Sequence, residues 1–254
     1  MRAALRRRHM NTRGLLTCAR YAFAPNYLKY CGPDEHRTIF EYCAAQDADA
    51  GLRELLEKFG TLYPYLRFIA QVNGIEDPFD PRVVEAYWIG NKLLKSAGKA
   101  EFAGHLIDTQ QLKKRLNPKS RDWLLAKIPQ GAHPVHAFHV FNVFTRTGHH
   151  TLPHTVDTMD QCRIGWGRIL YRDGEFLVVQ ARPLVLENGK LALGKPKERL
   201  VRAKYRNTDL PVYKKAGQWV SFHWGWVCNT LTDQQRRTLA HYTLLNMQLA
   251  NKTI

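Results

Sequence analysis

Apolar residues recur at three- and four-residue spacings through most of the first half of the chain, the pattern of helices that bury one face. The spacing predicts helices over 38–45, 51–59, 64–73, 82–96 and 100–107, inside a helical stretch running from Leu15 to about Leu125. Asp80-Pro81 places a capping carboxylate and a proline ahead of Arg82. This is a start signal, because the amide that proline lacks is one the first turn leaves unused. Asn73-Gly74 and Gly98 mark helix ends, and Cys31-Gly32-Pro33-Asp34-Glu35 a turn between helices.

The texture changes at Pro129-Gln130-Gly131-Ala132-His133-Pro134. From there 135–145 reads as a strand rich in β-branched and aromatic residues, and 162–171, 175–180, 184–187, 200–205 and 218–226 read as further short strands. Asp173-Gly174 and Asn188-Gly189 supply hairpin turns. Short strands at this density predict a small β-barrel, OB-like, or a partly open sandwich. Thr232-Asp233-Gln234-Gln235 then caps a final helix reaching about Ala250. The expected fold is α+β: a basic, disordered tail over 1–14, an all-helical domain over 15–130, and a β-barrel domain with a C-terminal helix over 131–254.

Composition narrows the function. A hydrophobic share of 44% is enough for a real core, and the formal charge of +16 favours acidic partners. The N-terminal stretch is basic without the apolar run of a secretory signal, and either Met1 or Met10 fits as the start. No apolar stretch reaches the roughly 18–20 residues of a membrane span. The five cysteines, Cys18, Cys31, Cys43, Cys162 and Cys228, are odd in number and lack any CxxC. That usage points to a reducing, cytoplasmic location rather than a disulfide framework.

The richest motifs lie in the second half. Cys162-Arg163-Ile164-Gly165-Trp166-Gly167-Arg168-Ile169 reads as a strand opened by a cysteine, and Gly217-Gln218-Trp219-Val220-Ser221-Phe222-His223-Trp224-Gly225-Trp226 as a strand ending in His-x-Gly-aromatic. In that order, ahead of a C-terminal helix, they resemble the HypC/HupF family of [NiFe]-hydrogenase maturation chaperones. The resemblance spans roughly the last 90 residues. It departs at the internal position of Cys162, at Trp166 where that family has proline, and at Gln218 where it has aspartate. It implies a HypC-like barrel in which Cys162, assisted by His223, transiently carries an iron fragment. The implied partner is a hydrogenase large-subunit precursor or another maturation protein. The chain as a whole also resembles an uncharacterised bacterial family.

Other readings stay open. A basic barrel binding RNA or single-stranded DNA would use Trp166, Arg168, Trp219, Trp224 and Trp226 with the run from Lys195 to Arg206, including Lys197, Arg199, Arg202 and Lys204. The stretch Lys113-Lys114-Arg115, with Lys119, Arg121 and Lys127, is a second candidate for following a phosphate backbone. A metal-dependent enzyme would draw on His133, His136, His139, His149, His150 and His154. On a strand, His136 and His139 face opposite ways; on a helix they share a side. No Ser-His-Asp arrangement, phosphate-cradling glycine loop or HExxH motif is present, so a self-contained enzyme is not the first expectation.

Overall fold

The computed structural model describes residues 11–143, 153–205, 208–209 and 215–254. The basic N-terminal residues 1–10, with both candidate starts, lie outside the described residues, as do His149, His150 and Arg206. The first part is helical: α1 (Thr12–Tyr27), α2 (Thr38–Ala45), α3 (Ala50–Glu57), α4 (Leu62–Val72), α5 (Pro81–Trp88), α6 (Lys99–Gly104), α7 (Leu112–Arg115) and α8 (Pro118–Leu125). Asp80 caps α5 through the Arg82 amide at 2.9 Å, with Pro81 as its first residue. A 3-10 turn over Lys92–Ser96 replaces the second half of the helix expected there.

The segment expected as a strand from Val135 is helical instead. A short helix α9 (His136–Phe138) runs into a π-helical turn over His139–Val143. Every residue from Val135 to Val143 is buried, so no polar face breaks up the β-branched and aromatic run that imitates a strand. The next expected strand also starts late. Cys162 is the last residue of a helix, α10 (Val156–Cys162), whose start is capped by Thr155, and the strand begins at Gly165.

The sheet is built from β1 (Gly165–Asp173), β2 (Phe176–Ala181), the hairpin β3 (Leu184–Glu187) with β4 (Lys190–Leu193), β5 (Lys197–Arg202), the two-residue pair β6 (Lys204–Tyr205) and β7 (Thr208–Asp209), β8 (Trp219–His223) and β9 (Trp226–Leu231). Helix α11 (Asp233–Ala250) ends the fold. Strand neighbours run β1-β2-β5-β9-β8 and back to β1. The links β1-β2, β1-β8, β2-β5 and β8-β9 are antiparallel ladders. The remaining link, β5 to β9, is one parallel pair, Arg202 opposite Trp226. The expected OB-like, HypC-like barrel is therefore corrected to a coiled mixed sheet whose edge strands touch at one corner instead of joining along a ladder. Turns and composition locate several of the strands but not all nine, and closure depends on coiling and stagger, which they do not encode.

One apolar cluster runs from Leu15 and Phe23 in α1 through Phe138 and Phe141 to Val220, Phe222 and Leu249. Tyr21 ties α1 to the sheet: its hydroxyl shares a 2.8 Å hydrogen bond with Ser221, both buried. Among the described residues no helix is long and apolar enough to cross a membrane.

His105 lies inside this helical core, stacked on Phe68 with ring centres 4.7 Å apart and edge-on to Tyr65 at 4.9 Å. Burial lowers its pKa to about 4, against roughly 6.5 in an unfolded chain. Between those values the unfolded state holds the extra proton, so stability is complete above about pH 6.5 and falls as the pH drops towards 4. Urea midpoints measured across this window should show His105 contributing a loss on the order of 3 kcal/mol, and His105→Phe should flatten that share of the slope.

Candidate metal centre

Three segments far apart in sequence bring His136, Cys162 and His223 together. Their ligand atoms all lie within 4.8 Å of one another. On a tetrahedral ion such donors sit roughly 3.3–3.6 Å apart, so about an ångström of side-chain adjustment would bring them onto one metal.

His223 ends β8 and is almost completely buried. Its Nδ1 lies 2.7 Å from the backbone carbonyl of Tyr21. A carbonyl only accepts, so Nδ1 carries the proton and Nε2 keeps the lone pair. The same carbonyl fixes the ring's orientation, an arrangement typical of metal-binding histidines. The turn after it is tight: Trp224 and Gly225 have φ of 50° and 77°, a two-residue hairpin with both central residues left-handed. Glycine takes that conformation freely, whereas a tryptophan there is strained and must be held. Trp224 is held by its amide, which donates to the Gln161 carbonyl at 2.9 Å, and by its ring against Tyr30 at 4.5 Å. That amide bond joins the end of β8 to the residue before Cys162.

Cys162 is held from the other side by Asp160. The Asp160 carboxylate accepts from Arg163 at 2.9 Å and 2.7 Å, from Arg199 at 2.8 Å and from the Leu184 amide at 2.9 Å. Arg163, itself buried, also donates to the Arg182 carbonyl at 2.7 Å. The end of α10 is thereby fixed to β5 and to the start of β3.

His136 opens α9. Its ring packs on Trp88 at 4.7 Å, Tyr87 at 5.6 Å and edge-on to His223 at 5.2 Å. Burial first, then the neighbouring His223 and His139, hold its pKa well below the ordinary histidine value. This favours the neutral ring, the form that binds metal. Its Nδ1 has no hydrogen-bond partner among the described residues.

All three face a cavity of about 50 Å³, whose walls also carry Cys31, His139 and His154 among mostly apolar side chains. A single water needs about 10–15 Å³ of such space, so the cavity holds an ion's open position and a few further atoms. A potential His/Cys/His metal site with room beside it is thus present.

The chain belongs to DUF6390. This family of unknown function matches residues 10–254. No curated protein and no solved structure matches the chain. The resemblance to the HypC/HupF chaperones is overturned, because the family spanning the DUF6390 chain is a different one, the sheet is not their barrel and Cys162 ends a helix rather than opening a strand. The hydrogenase-maturation role goes with it, and so does the argument for a hydrogenase precursor as client.

The tryptophans read as a base-stacking platform are half-buried against the core. Trp226 packs edge-on to Phe23 at 5.4 Å beneath Arg202 at 5.2 Å, Trp219 lies under Arg236 at 5.0 Å, and Trp166 lies under Arg163 at 5.5 Å. Of the basic residues assigned to the same surface, Arg199 pairs with Asp160, Arg202 pairs with Glu175 at 2.9 Å, and Arg168 donates to the Gly217 carbonyl at 3.1 Å. Lys197 is exposed and Lys204 half-buried. Lys127 is not on the surface at all: buried, it donates to Asn142 and Thr253 at 3.0 Å and 2.9 Å.

Among the remaining thiols, Cys18 and Cys43 are buried with pKa values pushed up to about 12, and burial also raises Cys228 well above the ordinary thiol value. These are inert core groups. His133 is engaged elsewhere, with its Nδ1 3.1 Å from the Leu94 carbonyl.

Sequence reasoning placed His136 in a histidine cluster but did not join it to Cys162 and His223. The available signal was its three-residue spacing from His139, which puts both on one side if the segment is helical. Asp160 carries no signal of its own in the sequence, because nothing local separates it from Asp157 in the same short polar stretch. Asp160→Ala should leave two arginines unpaired beneath α10 and destabilise the fold by on the order of 3–5 kcal/mol, read as a fall in the denaturant midpoint.

Proposed function

We propose that this DUF6390 chain is a metal-binding protein in which His136, Cys162 and His223 hold one first-row transition ion and leave a coordination position open to the cavity. The observation that carries this reading is the meeting of two imidazoles and a thiolate from α9, α10 and β8 within 4.8 Å. Three protein ligands beside free space is the arrangement of catalytic rather than structural zinc sites. Thiolate and imidazole donors together suit zinc(II) above other common ions, and they also accept iron(II), the metal that the overturned resemblance implied. This corresponds to the metal-dependent reading of the histidine cluster, with one member of that cluster recruited and the two other ligands drawn from α10 and β8. No disulfide joins any of the five cysteines among the described residues, which supports a reducing, cytoplasmic setting.

Metal analysis of the purified chain, loaded and then dialysed, tests the proposal. One equivalent of zinc or iron per chain is expected in the wild type. Cys162→Ala, His136→Ala and His223→Ala, each checked for folding by circular dichroism, should each weaken binding by more than the 10–100-fold that loss of an outer-sphere partner costs. Stoichiometric metal retained in all three variants, or none in the wild type, overturns the reading.

A further inference from the structure

The charge and shape of the cavity determine what the open position accepts. A divalent ion carries two positive charges, Cys162 as thiolate supplies one negative charge, and the two imidazoles supply none, so the loaded centre keeps one positive charge. No carboxylate lines the cavity among the described residues; its polar side chains are Cys31, Cys162, Thr61, Tyr87, Trp88 and histidines, and the rest is apolar, with Phe59, Leu62 and Val140 among it. The nearest acid on α10, Asp160, is already bound by both Arg163 and Arg199, so that cluster also has one positive charge in excess. An uncompensated charge in an apolar pocket is costly. A ligand bringing one negative charge removes the cost at the metal, whereas a neutral ligand leaves it and a dianion reverses it. Size sets the other limit, because about 50 Å³ admits a few linear heavy atoms and no ring.

We propose that the open position of the centre takes a small monoanion of up to about three heavy atoms, of hydrosulfide or azide size, entering from the cavity. This rests on the metal-binding reading above and specifies what that centre recognises. The apolar walls select against bulk and against multiple charge, and the charge left on the centre selects against neutral molecules of the same shape.

The full chain loaded with cobalt(II) provides the test, since cobalt reports its ligands in visible absorption. Azide should shift the cobalt bands saturably. Acetonitrile, of the same length but neutral, should need at least about tenfold higher concentration, and benzoate, an anion with a ring, should have no effect. Val140→Leu keeps all three metal ligands and fills part of the cavity, so it should retain the cobalt spectrum while weakening azide at least about tenfold. Cobalt bands that azide leaves unchanged, or that acetonitrile shifts equally well, overturn the monoanion proposal and leave the metal reading standing. A wild-type chain that takes up no cobalt overturns both.

Discussion

The buried carboxylate of Asp160 is the interaction on which the centre depends. Helix α10 is only 7 residues long, too short to hold itself in place by its own hydrogen bonds. Its position is set by the contacts Asp160 makes with Arg163, Arg199 and the Leu184 amide, which connect it to the sheet and to the β3-β4 hairpin. Two guanidinium groups and an amide satisfy the carboxylate oxygens, so the cost of burying an acid is offset by charge-assisted hydrogen bonds. Cys162 stands two residues further on, at the last position of the helix. Its sulfur therefore has a fixed origin although the residues just before α10 are not regular structure.

The other two ligands are placed by elements that Asp160 does not touch. His223 takes its orientation from the Tyr21 carbonyl in α1, and Tyr21 is held through its hydroxyl to Ser221 on the same strand as His223. One side chain thus binds the strand while its own backbone orients the imidazole. His136 is set by aromatic packing on Trp88, which also stacks on Tyr21 with ring centres 5.3 Å apart. Helix α1, helix α5 and strand β8 consequently meet at the same place. A centre assembled in this way is rigid because each donor is oriented by an element other than its own, which is the condition for preorganised metal binding.

The first half of the chain was readable because its helices are amphipathic. In α3, Leu52, Leu55 and Leu56 are buried while Glu54 is exposed and Arg53 and Glu57 are half-buried, and the spacing of those leucines is the signal itself. The hairpins near Gly174 and at Asn188-Gly189 were readable because left-handed turn positions favour glycine and asparagine: Gly174, directly after Asp173 at the end of β1, has φ of 55°, and Asn188 and Gly189 have φ of 50° and 75°. The segment carrying His136 was unreadable for the opposite reason: with every residue buried, local pattern contains no face to detect. The expected strand starts at Cys162, three residues early, since the end of α10 is fixed by Asp160 through Arg199 and the Leu184 amide, partners far along the chain that local pattern does not show. That Cys162 and His223 deserved notice came from a resemblance that the comparisons overturn. What places them together is the Trp224 amide on the Gln161 carbonyl, a bond between residues far apart in sequence that no motif encodes.

Charge is the most conspicuous property of the sequence, yet among the described residues no lysine or arginine lines the cavity. Several cations of the sheet are engaged locally, Arg199 on Asp160 and Arg202 on Glu175, and others are solvated. The formal excess of +16 still acts at a distance. A positive surface repels free metal cations and attracts anions, with an effect screened over about 8–10 Å at physiological salt. Affinity for an ion must then come from the thiolate and the fixed imidazoles rather than from long-range attraction. A small anion meets the opposite situation: the surface field and the residual charge of the loaded centre have the same sign, so both favour its approach and its binding.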